Sequence, residues 1–296
     1  MVLAGQAKGR KAGTGKKAGS NSKVALVTGS SSGIGYETSL ALARSGYFTY
    51  ASMRDPDVAD SDLMPIARKE MLPLEVLQLD VTDELSVRSA VDRITKQSGR
   101  IDLLVNNAGY LLLGCLEDVP LAELKRQFET NFFGMVRVIQ AVLPVMRKQK
   151  EGMIINVSSV AGRLGLPVAS GYISTQFAIE GLSESIRYEL EPFGIQVALV
   201  EPGMVRTRFL KPAPSAMADA GSPYHKMTRK LVDSIGKMAE LGTSPEEVAR
   251  VIVKAANSNP VQTRYVVGND AAMILENRRS MGDVEFENFI KGVILK

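Results

Sequence analysis

The strongest constraint on the fold of this chain is an apolar segment that leads directly into a glycine-rich loop and then into a helical pattern. Residues 23–28 (Lys-Val-Ala-Leu-Val-Thr) form a nearly continuous apolar run, as expected of a parallel strand that is covered on both faces. The loop at residues 29–35 follows, and apolar residues then recur with helical period to residue 44. This order forms a pyrophosphate site, because glycines permit close backbone approach and a helix N-terminus offers free N–H groups. We predict that a dinucleotide cofactor is bound by Gly29, Ser31, Ser32, Gly33, Ile34 and Gly35. The alternative is a purely structural glycine turn.

The rest of the chain alternates strand patterns with helix patterns. Strands are predicted at residues 46–53, 74–79, 101–105, 153–157, 195–200 and 263–267. Helices are predicted at about 83–97, with Asp83 as its cap, and at 121–150, 172–189 and 245–256. Such alternation implies right-handed crossovers and one doubly wound parallel sheet. We therefore predict an α/β fold: a single Rossmann domain over residues 23–296, with helices flanking a seven-stranded parallel sheet. The Pro-, Ser-, Gly- and Met-rich stretch at about 204–242 interrupts the pattern and is predicted to be a mobile substrate lid.

The N-terminal segment differs in composition from the rest. Residues 1–23 carry six basic residues, no acidic one, and many Gly, Ala and Ser. Removing these six from the 36 basic residues leaves 30 against 32 acidic ones, a nearly neutral body. Such a composition cannot bury enough apolar surface to fold, and it has neither a secretory signal core nor transit-peptide amphipathy. We predict a disordered basic arm over residues 1–22 that either solubilises the protein or contacts anionic partners.

Composition also excludes several functional classes. Apolar content of 45% and charged content of 23% are ordinary for a soluble protein, and no run approaches the roughly 18 apolar residues of a transmembrane segment. The single cysteine, Cys115, forbids an internal disulfide and a thiolate metal cluster. The single histidine, His225, gives little support to Ser-His chemistry or to a histidine-based metal site. We therefore expect a cytoplasmic protein with no metal centre, no transmembrane segment and no specific nucleic-acid partner.

Two strand ends bear on the cofactor type. An acidic residue after the second strand favours NAD, whereas an arginine there accommodates the 2′-phosphate of NADP. Here Arg54 comes directly off the strand and Asp55 follows it, which favours NADP(H), with Asp55 turned to solvent. The alternative is a solvated ion pair at a strand end. Asp80 and Val81 follow the third strand, where the adenine would lie.

Hydroxyl groups that could carry proton chemistry follow the fifth strand. Ser158 and Ser159 come first, and Tyr172 and Gln176 then lie four residues apart on one face of a predicted helix. A phenol has a pKa near 10 and needs help to exchange a proton at neutral pH, usually from a fixed cation. The position that could supply this cation holds a neutral glutamine.

Several separated motifs occur in one order along the chain. They are Thr28-Gly29-x-x-x-Gly33-x-Gly35, Asp80-Val81, Asn106-Asn107-Ala108-Gly109, Asn131-Phe132-Phe133-Gly134, Ser159, Tyr172 and Pro202-Gly203. In this order, from residue 23 to about residue 268, the sequence resembles the short-chain dehydrogenase/reductase family. Residues 53–55, 111–116, 177–182 and 243–249 resemble its 17β-hydroxysteroid and retinol dehydrogenase branch.

The resemblance implies a role for each matching residue. Ser159 would hold the substrate oxygen and Tyr172, which follows it by 13 residues, would transfer its proton, while Asn131 would steady a water relay. Further cofactor contacts are implied for Asn107, Ala108, Gly109, Gln176, Pro202, Gly203, Val205 and Thr207. The family has a lysine where this chain has Gln176, and that lysine binds the nicotinamide ribose and keeps the tyrosine acidic. Glutamine can still donate to a ribose hydroxyl, but it carries no charge to stabilise a phenolate.

The function that follows is an NADP(H)-dependent oxidoreductase, impaired by Gln176, that interconverts a carbonyl and an alcohol. The substrate would be small and largely apolar, such as a steroid, a retinoid or an acyl compound. This substrate class is motivated by Leu111, Leu112, Leu113, Leu166, Val168 and Met204, each of which could equally serve packing. Two alternatives stay open: a non-catalytic NADP-binding scaffold or sensor, and an enzyme that was inactivated on purpose. Arg163 is the nearest sequence candidate for a substitute cation. By resemblance, we expect a homodimer or homotetramer that associates through the two long helices.

Overall fold

The computed structural model describes residues 22–57, 63–207 and 220–295. Residues 1–21 of the predicted basic arm lie outside this range, so the arm stays a prediction. Seven parallel strands form one sheet in the order β3-β2-β1-β4-β5-β6-β7, which confirms the predicted fold class. The strands are β1 Val24–Val27, β2 Phe48–Met53, β3 Leu74–Gln78, β4 Leu103–Asn106, β5 Gly152–Val157, β6 Ile195–Pro202 and β7 Arg264–Val267.

Helices cover both faces of this sheet. They are α1 Gly33–Arg44, α2 Leu63–Lys69, α3 Glu84–Ser98, α4 Leu121–Phe128, α5 Gly134–Gln149, α6 Ser170–Leu190, α7 His225–Glu240, α8 Pro245–Ala256, α9 Asn269–Ser280 and α10 Asp283–Ile290. Two of them have a side-chain N-cap. The Asp83 carboxylate accepts from backbone N–H groups in the first turn of α3, and the Ser244 hydroxyl accepts from a backbone N–H group in the first turn of α8. The cap predicted at Asp83 is thus confirmed. Within the described ranges no helix is long and apolar enough to cross a membrane.

The period-2 geometry of a strand explains why the central strands read as continuous apolar runs. Val24 and Leu26 of β1 pack into one core with α3, α5 and α6, whereas Ala25 and Val27 pack into a second core with α8. All four residues are therefore buried, as expected of a parallel strand between two helical layers.

The strand order reverses beside β1, and this reversal positions the site. β1 pairs with β2 on one side and with β4 on the other, and the chain crosses from one half of the sheet to the other between β3 and β4. Ligands of doubly wound sheets bind in the crevice that such a reversal opens beyond the carboxyl ends of the strands. The glycine-rich loop leaves β1 at this crevice.

The predicted helix 121–150 contains a π-helical segment. It consists of α4, a π-helical segment at Glu129–Phe133, and α5. Asn131 lies in this segment and is buried. Its side chain forms hydrogen bonds with the backbone of Tyr110, which lies outside the helix. The long helix predicted over 121–150 is therefore present, with a π-helical segment around Asn131, a residue type of low helix propensity.

The C-terminal third contains more helix than the sequence patterns indicated. The stretch predicted to be a lid contains the 16-residue helix α7, and residues 208–219 of that stretch lie outside the described residues. Helices α9 and α10 and a terminal π-helical segment, Lys291–Leu295, follow β7. These elements bring the C-terminal part of the chain back over the crevice.

Candidate active site

The glycine-rich loop packs closely against the end of β4. Gly29 has a φ of 70° and Gly33 a φ of 61°, in the left-handed region that favours glycine. A Cβ atom on Gly29 would lie 2.8 Å from the Cα atom of Ala108. A Cβ atom on Gly35 would collide with the Asn107 side chain and with the Gly29 carbonyl. The loop therefore needs glycine at these positions to reach its conformation.

Asn107 holds this loop to the end of β4. Its side-chain amide donates to the carbonyl oxygens of Thr28 at 3.0 Å and Gly29 at 3.2 Å. The Thr28 hydroxyl in turn accepts from the backbone N–H groups of Asn107 at 3.0 Å and Ala108 at 3.1 Å. These bonds leave the N-terminus of α1 facing the crevice.

A cavity of about 780 Å³ occupies the crevice. It brings together the predicted cofactor residues Gly29, Ser31, Ser32, Gly33, Ile34, Arg54, Asp80, Val81, Asn107, Ala108, Gly109, Gln176, Pro202, Gly203, Val205 and Thr207, and the predicted catalytic residues Ser159, Tyr172 and Asn131. Gly35 does not line the cavity; it is buried against Asn107 and Gly29, so its observed role is packing. A glycine cradle at a helix N-terminus, with Arg54 beyond it, fits a dinucleotide.

Ser159 and Tyr172 form a hydroxyl pair in this cavity. Ser159 follows β5 and caps a short 3₁₀ turn, Val160–Gly162. Its hydroxyl accepts from the Ala161 N–H at 3.1 Å, lies 3.4 Å from the Pro202 carbonyl oxygen, and is hydrogen-bonded to the Tyr172 phenol. Burial raises the pKa of Tyr172 from 10.0 to about 12, and the bond with Ser159 lowers it only in part. The phenol therefore keeps its proton at neutral pH.

Gln176 lies one helical turn after Tyr172, and its side chain is buried. Its amide nitrogen lies 3.4 Å from the Thr175 hydroxyl oxygen, while the Thr175 hydroxyl donates to the Tyr172 carbonyl at 2.7 Å. Since the hydroxyl hydrogen of Thr175 is engaged, its oxygen can only accept, which makes the nitrogen the end of the amide that faces it. The carbonyl oxygen of Gln176 has no hydrogen-bond partner within the described residues.

Asn131 uses its side chain to hold the neighbouring loop. Its carbonyl oxygen accepts from the Tyr110 N–H at 3.0 Å, and its amide nitrogen donates to the Tyr110 carbonyl at 2.9 Å and to the Thr175 hydroxyl at 3.3 Å. All the hydrogens of the side-chain amide are then engaged. The side-chain amide of Asn131 thus ties the segment after β4 to helix α6.

Arg163 does not act as a cation for Tyr172 in this structure. Its guanidinium forms an ion pair at 3.2 Å with Glu201, a fully buried residue that Arg264 also contacts at 2.8 Å. Arg264 further contacts Glu180 at 3.0 Å. Burial raises the pKa of Glu180, the Ser158 hydroxyl lowers it, the charge of Glu201 raises it, and Arg264 lowers it. The candidate substitute cation is thus paired with a carboxylate, and neither arginine lines the cavity.

The apolar end of the cavity includes residues that the sequence analysis missed. Of the apolar residues that the sequence suggested, Leu111, Leu113, Leu166 and Met204 line the cavity, whereas Leu112 and Val168 do not. Helices α6, α7, α9 and α10 and the terminal π-helical segment add Ile173, Ile235, Met238, Met273, Ile274, Phe289 and Val293. Asp270 also lines the cavity, just after β7. An acidic residue just beyond the end of a strand was the signal used for Asp80, and the same signal could have found Asp270.

The fold and this site define the class of protein. The family described as short chain dehydrogenase matches residues 23–218, and the chain belongs to the short-chain dehydrogenase/reductase family. It is an oxidoreductase of the class that transfers hydride with NAD(P).

Individual relatives include proteins of the predicted branch. Uncharacterized oxidoreductase YusZ of Bacillus subtilis is 40% identical over 278 residues, which cover 92% of this chain and 98% of that protein. Retinol dehydrogenase 8 of Bos taurus is 39% identical, covering 80% of this chain and 78% of the relative. 17-beta-hydroxysteroid dehydrogenase type 1 of Homo sapiens is 37% identical, covering 82% and 76%. Among solved structures, a short-chain dehydrogenase from Streptomyces avermitilis has a TM-score of 0.76 and 31% identity, covering 92% of this chain and 98% of that chain.

Proposed function

We propose that the protein interconverts a carbonyl and an alcohol on a small, largely apolar substrate with NADP(H), and that Gln176 lowers its efficiency. The observation that carries this proposal is the Ser159–Tyr172 hydroxyl pair, which lies in the same cavity as the glycine cradle. A cofactor seated on that cradle and a substrate at the hydroxyl pair would share one cavity.

In this proposal, Tyr172 acts as the acid in carbonyl reduction. Its phenol is protonated at neutral pH, since its pKa is about 12, and its neighbour Ser159 offers a second hydroxyl. A carbonyl oxygen beside both groups would accept a hydrogen bond from each, which stabilises the negative charge that develops on that oxygen. The cofactor, when bound, supplies or accepts the hydride.

Alcohol oxidation makes the opposite demand on Tyr172. The phenol must then take a proton, and with a pKa of about 12 roughly one phenol in 10⁵ is ionised at pH 7. Gln176 carries no charge that would lower this pKa. Because both directions share one transition state, the missing cation slows reduction as well.

The apolar substrate is supported by the wall beyond the hydroxyl pair. This part of the cavity is formed by aliphatic, methionine and phenylalanine side chains from the segment after β4 and from the C-terminal helices. Contact with such a wall stabilises a bound apolar substrate by about 0.8 kcal/mol for each of its methylene groups that is buried. The names of two relatives, a retinol dehydrogenase and a hydroxysteroid dehydrogenase, agree with this class.

The preference for NADP(H) is supported by the position of Arg54. It follows β2, is exposed and lines the cavity, and the Gln78 side chain bonds to its carbonyl at 3.4 Å. An exposed guanidinium at this corner can pair with a 2′-phosphate in a bidentate way. The homo-oligomer and the cytoplasmic location stay predictions.

The test compares this chain with Gln176→Lys and with Gln176→Met, a neutral control of similar size. Each protein is assayed for NADPH oxidation with a panel of apolar ketones and aldehydes. We expect slow turnover by this chain, similar or slower turnover by Gln176→Met, and a gain of about a hundredfold for Gln176→Lys, the effect of about two units in the pKa of Tyr172. Tight NADPH binding without turnover in any of the three would favour the scaffold or sensor instead. Turnover by the lysine variant alone would fit an inactivated enzyme.

A further inference from the structure

Asp270 joins the C-terminal helices to the loop that follows β6. It lies in the first turn of α9, and its carboxylate accepts from the Met204 N–H at 2.7 Å. A Cβ atom on Gly203 would overlap this carboxylate, and one on Gly268 would lie 2.5 Å from it. The two glycines therefore make room for the Asp270 carboxylate at the wall of the cavity.

The charges of the cavity wall are distributed unevenly. Among the described residues that line it, the charged ones are Arg54 and Asp80 at the ends of β2 and β3, and Asp270 at the end of β7. The groups around Tyr172, namely Ser159, Gln176 and Asn131, are neutral side chains. Among the described residues of the wall, Asp270 is therefore the charged one at the ends of β5, β6 and β7. The Ser159–Tyr172 hydroxyl pair lies on the same side of the cavity.

The buried ion pairs nearby do not alter this distribution of charge on the cavity wall. Glu180 and Glu201 are paired with Arg264, Glu201 also with Arg163, and Glu184 completes the group at 2.5 Å from Arg264. None of these five residues lines the cavity. Their charges largely compensate one another, since two guanidinium groups face three carboxyl groups of which one, Glu180, has a raised pKa.

We propose that Asp270, together with the neutral Gln176, makes the catalytic end of the cavity electronegative, so that it favours the oxidised, positively charged nicotinamide ring over the reduced, neutral one. The inference rests on the proposed binding of a nicotinamide cofactor. The oxidised and reduced forms differ in charge only at the ring, so the ratio of their dissociation constants isolates what the protein does there. A carboxylate attracts the oxidised ring, and a glutamine offers no opposing positive charge.

The test measures the dissociation constants of NADP⁺ and NADPH by fluorescence titration of the intact protein. In Asp270→Asn we expect the ratio Kd(NADP⁺)/Kd(NADPH) to rise about tenfold, the size expected for one charge acting over about 10 Å at an effective dielectric constant of about 20. Gln176→Lys should raise the same ratio, because it adds a positive charge. The ratio should stay unchanged in Glu276→Gln, which removes an exposed carboxylate from the same helix.

Asp270→Glu separates the charge from the packing. It keeps the carboxylate but lengthens the side chain, so both dissociation constants should change together while their ratio stays near that of the parent. An equal rise of the ratio in Asp270→Glu and Asp270→Asn, or no rise in Asp270→Asn, would overturn the role of the charge. If the parent chain binds neither form, the proposed function fails as well, which distinguishes the two failures.

Discussion

Replacing Gln176 with lysine should lower the pKa of the Tyr172 phenol by about two units. Burial holds this pKa at about 12, opposed only by the hydrogen bond with Ser159. Residues four apart on a helix have Cβ atoms about 5–6 Å apart. At about 6 Å and an effective dielectric constant of about 20, one positive charge stabilises a phenolate by about 3 kcal/mol. Since each pKa unit corresponds to about 1.36 kcal/mol, this is about two units, or about a hundredfold more phenolate at pH 7.

The pH dependence of alcohol oxidation measures this shift. Oxidation requires the phenolate, so kcat/KM should rise about tenfold per pH unit until the pH reaches the pKa of Tyr172. In Gln176→Lys the rise should end about two pH units lower than in this chain or in Gln176→Met. Where turnover is too slow, the ultraviolet signal of tyrosinate can be titrated directly, with Tyr172→Phe as the reference for the other tyrosines. Coinciding profiles for the lysine and methionine variants would refute the electrostatic reasoning.

Three further predictions concern the cofactor preference and the stability of the fold. Arg54→Ala should raise the dissociation constant of NADPH by about 10- to 100-fold, the size of a lost charge-assisted hydrogen bond, and leave that of NADH nearly unchanged; equal losses for both cofactors would count against a 2′-phosphate contact. Gly35→Ala should lower the free energy of unfolding by about 1–3 kcal/mol through overpacking, whereas Gly165→Ala, with no atom within 4 Å of the new methyl group, should have little effect in urea titrations. Arg264→Met should cost about 3–5 kcal/mol at about pH 8, because it leaves the buried Glu180 carboxylate without its guanidinium partner, whereas Glu201 keeps Arg163. This loss should shrink as the pH falls below the raised pKa of Glu180, where protonation removes its charge, and a loss independent of pH would point to packing alone.

The sequence patterns identified the sheet because they are local. In β1 every residue is apolar, and two opposite faces of one strand can be apolar together only when helices cover both. The glycine loop was likewise predictable, since tight turns and a helix N-terminus leave a signature within a dozen residues. The π-helical segment within the helix predicted over 121–150 was not visible in the local pattern, because Asn131 bonds to Tyr110, twenty-one residues earlier.

The residues of the candidate site likewise fall into those that local sequence patterns predicted and those that they did not. Ser159, Tyr172 and Gln176 could be predicted from the sequence, because they lie just after β5 and on the next helix, α6, in a motif whose order and spacing are visible along the chain. Phe289 could not be placed, because it comes from the end of the chain and meets the cavity only when α9 and α10 fold back over the sheet. Asp270 carried only the signal of an acidic residue just beyond a strand.

By itself, then, the sequence determined the parallel sheet, the nucleotide cradle and the neutral residue beside the phenol. All three depend on hydrophobic periodicity or on residues that are close together in the sequence. The tertiary structure decided which charges are available. It paired Arg163 with Glu201, so that the nearest cation in sequence does not assist Tyr172, and it placed the Asp270 carboxylate on the cavity wall. The physical reason is that the electrostatic effect of a group depends on its distance and burial, and both are set by contacts between residues far apart in the chain.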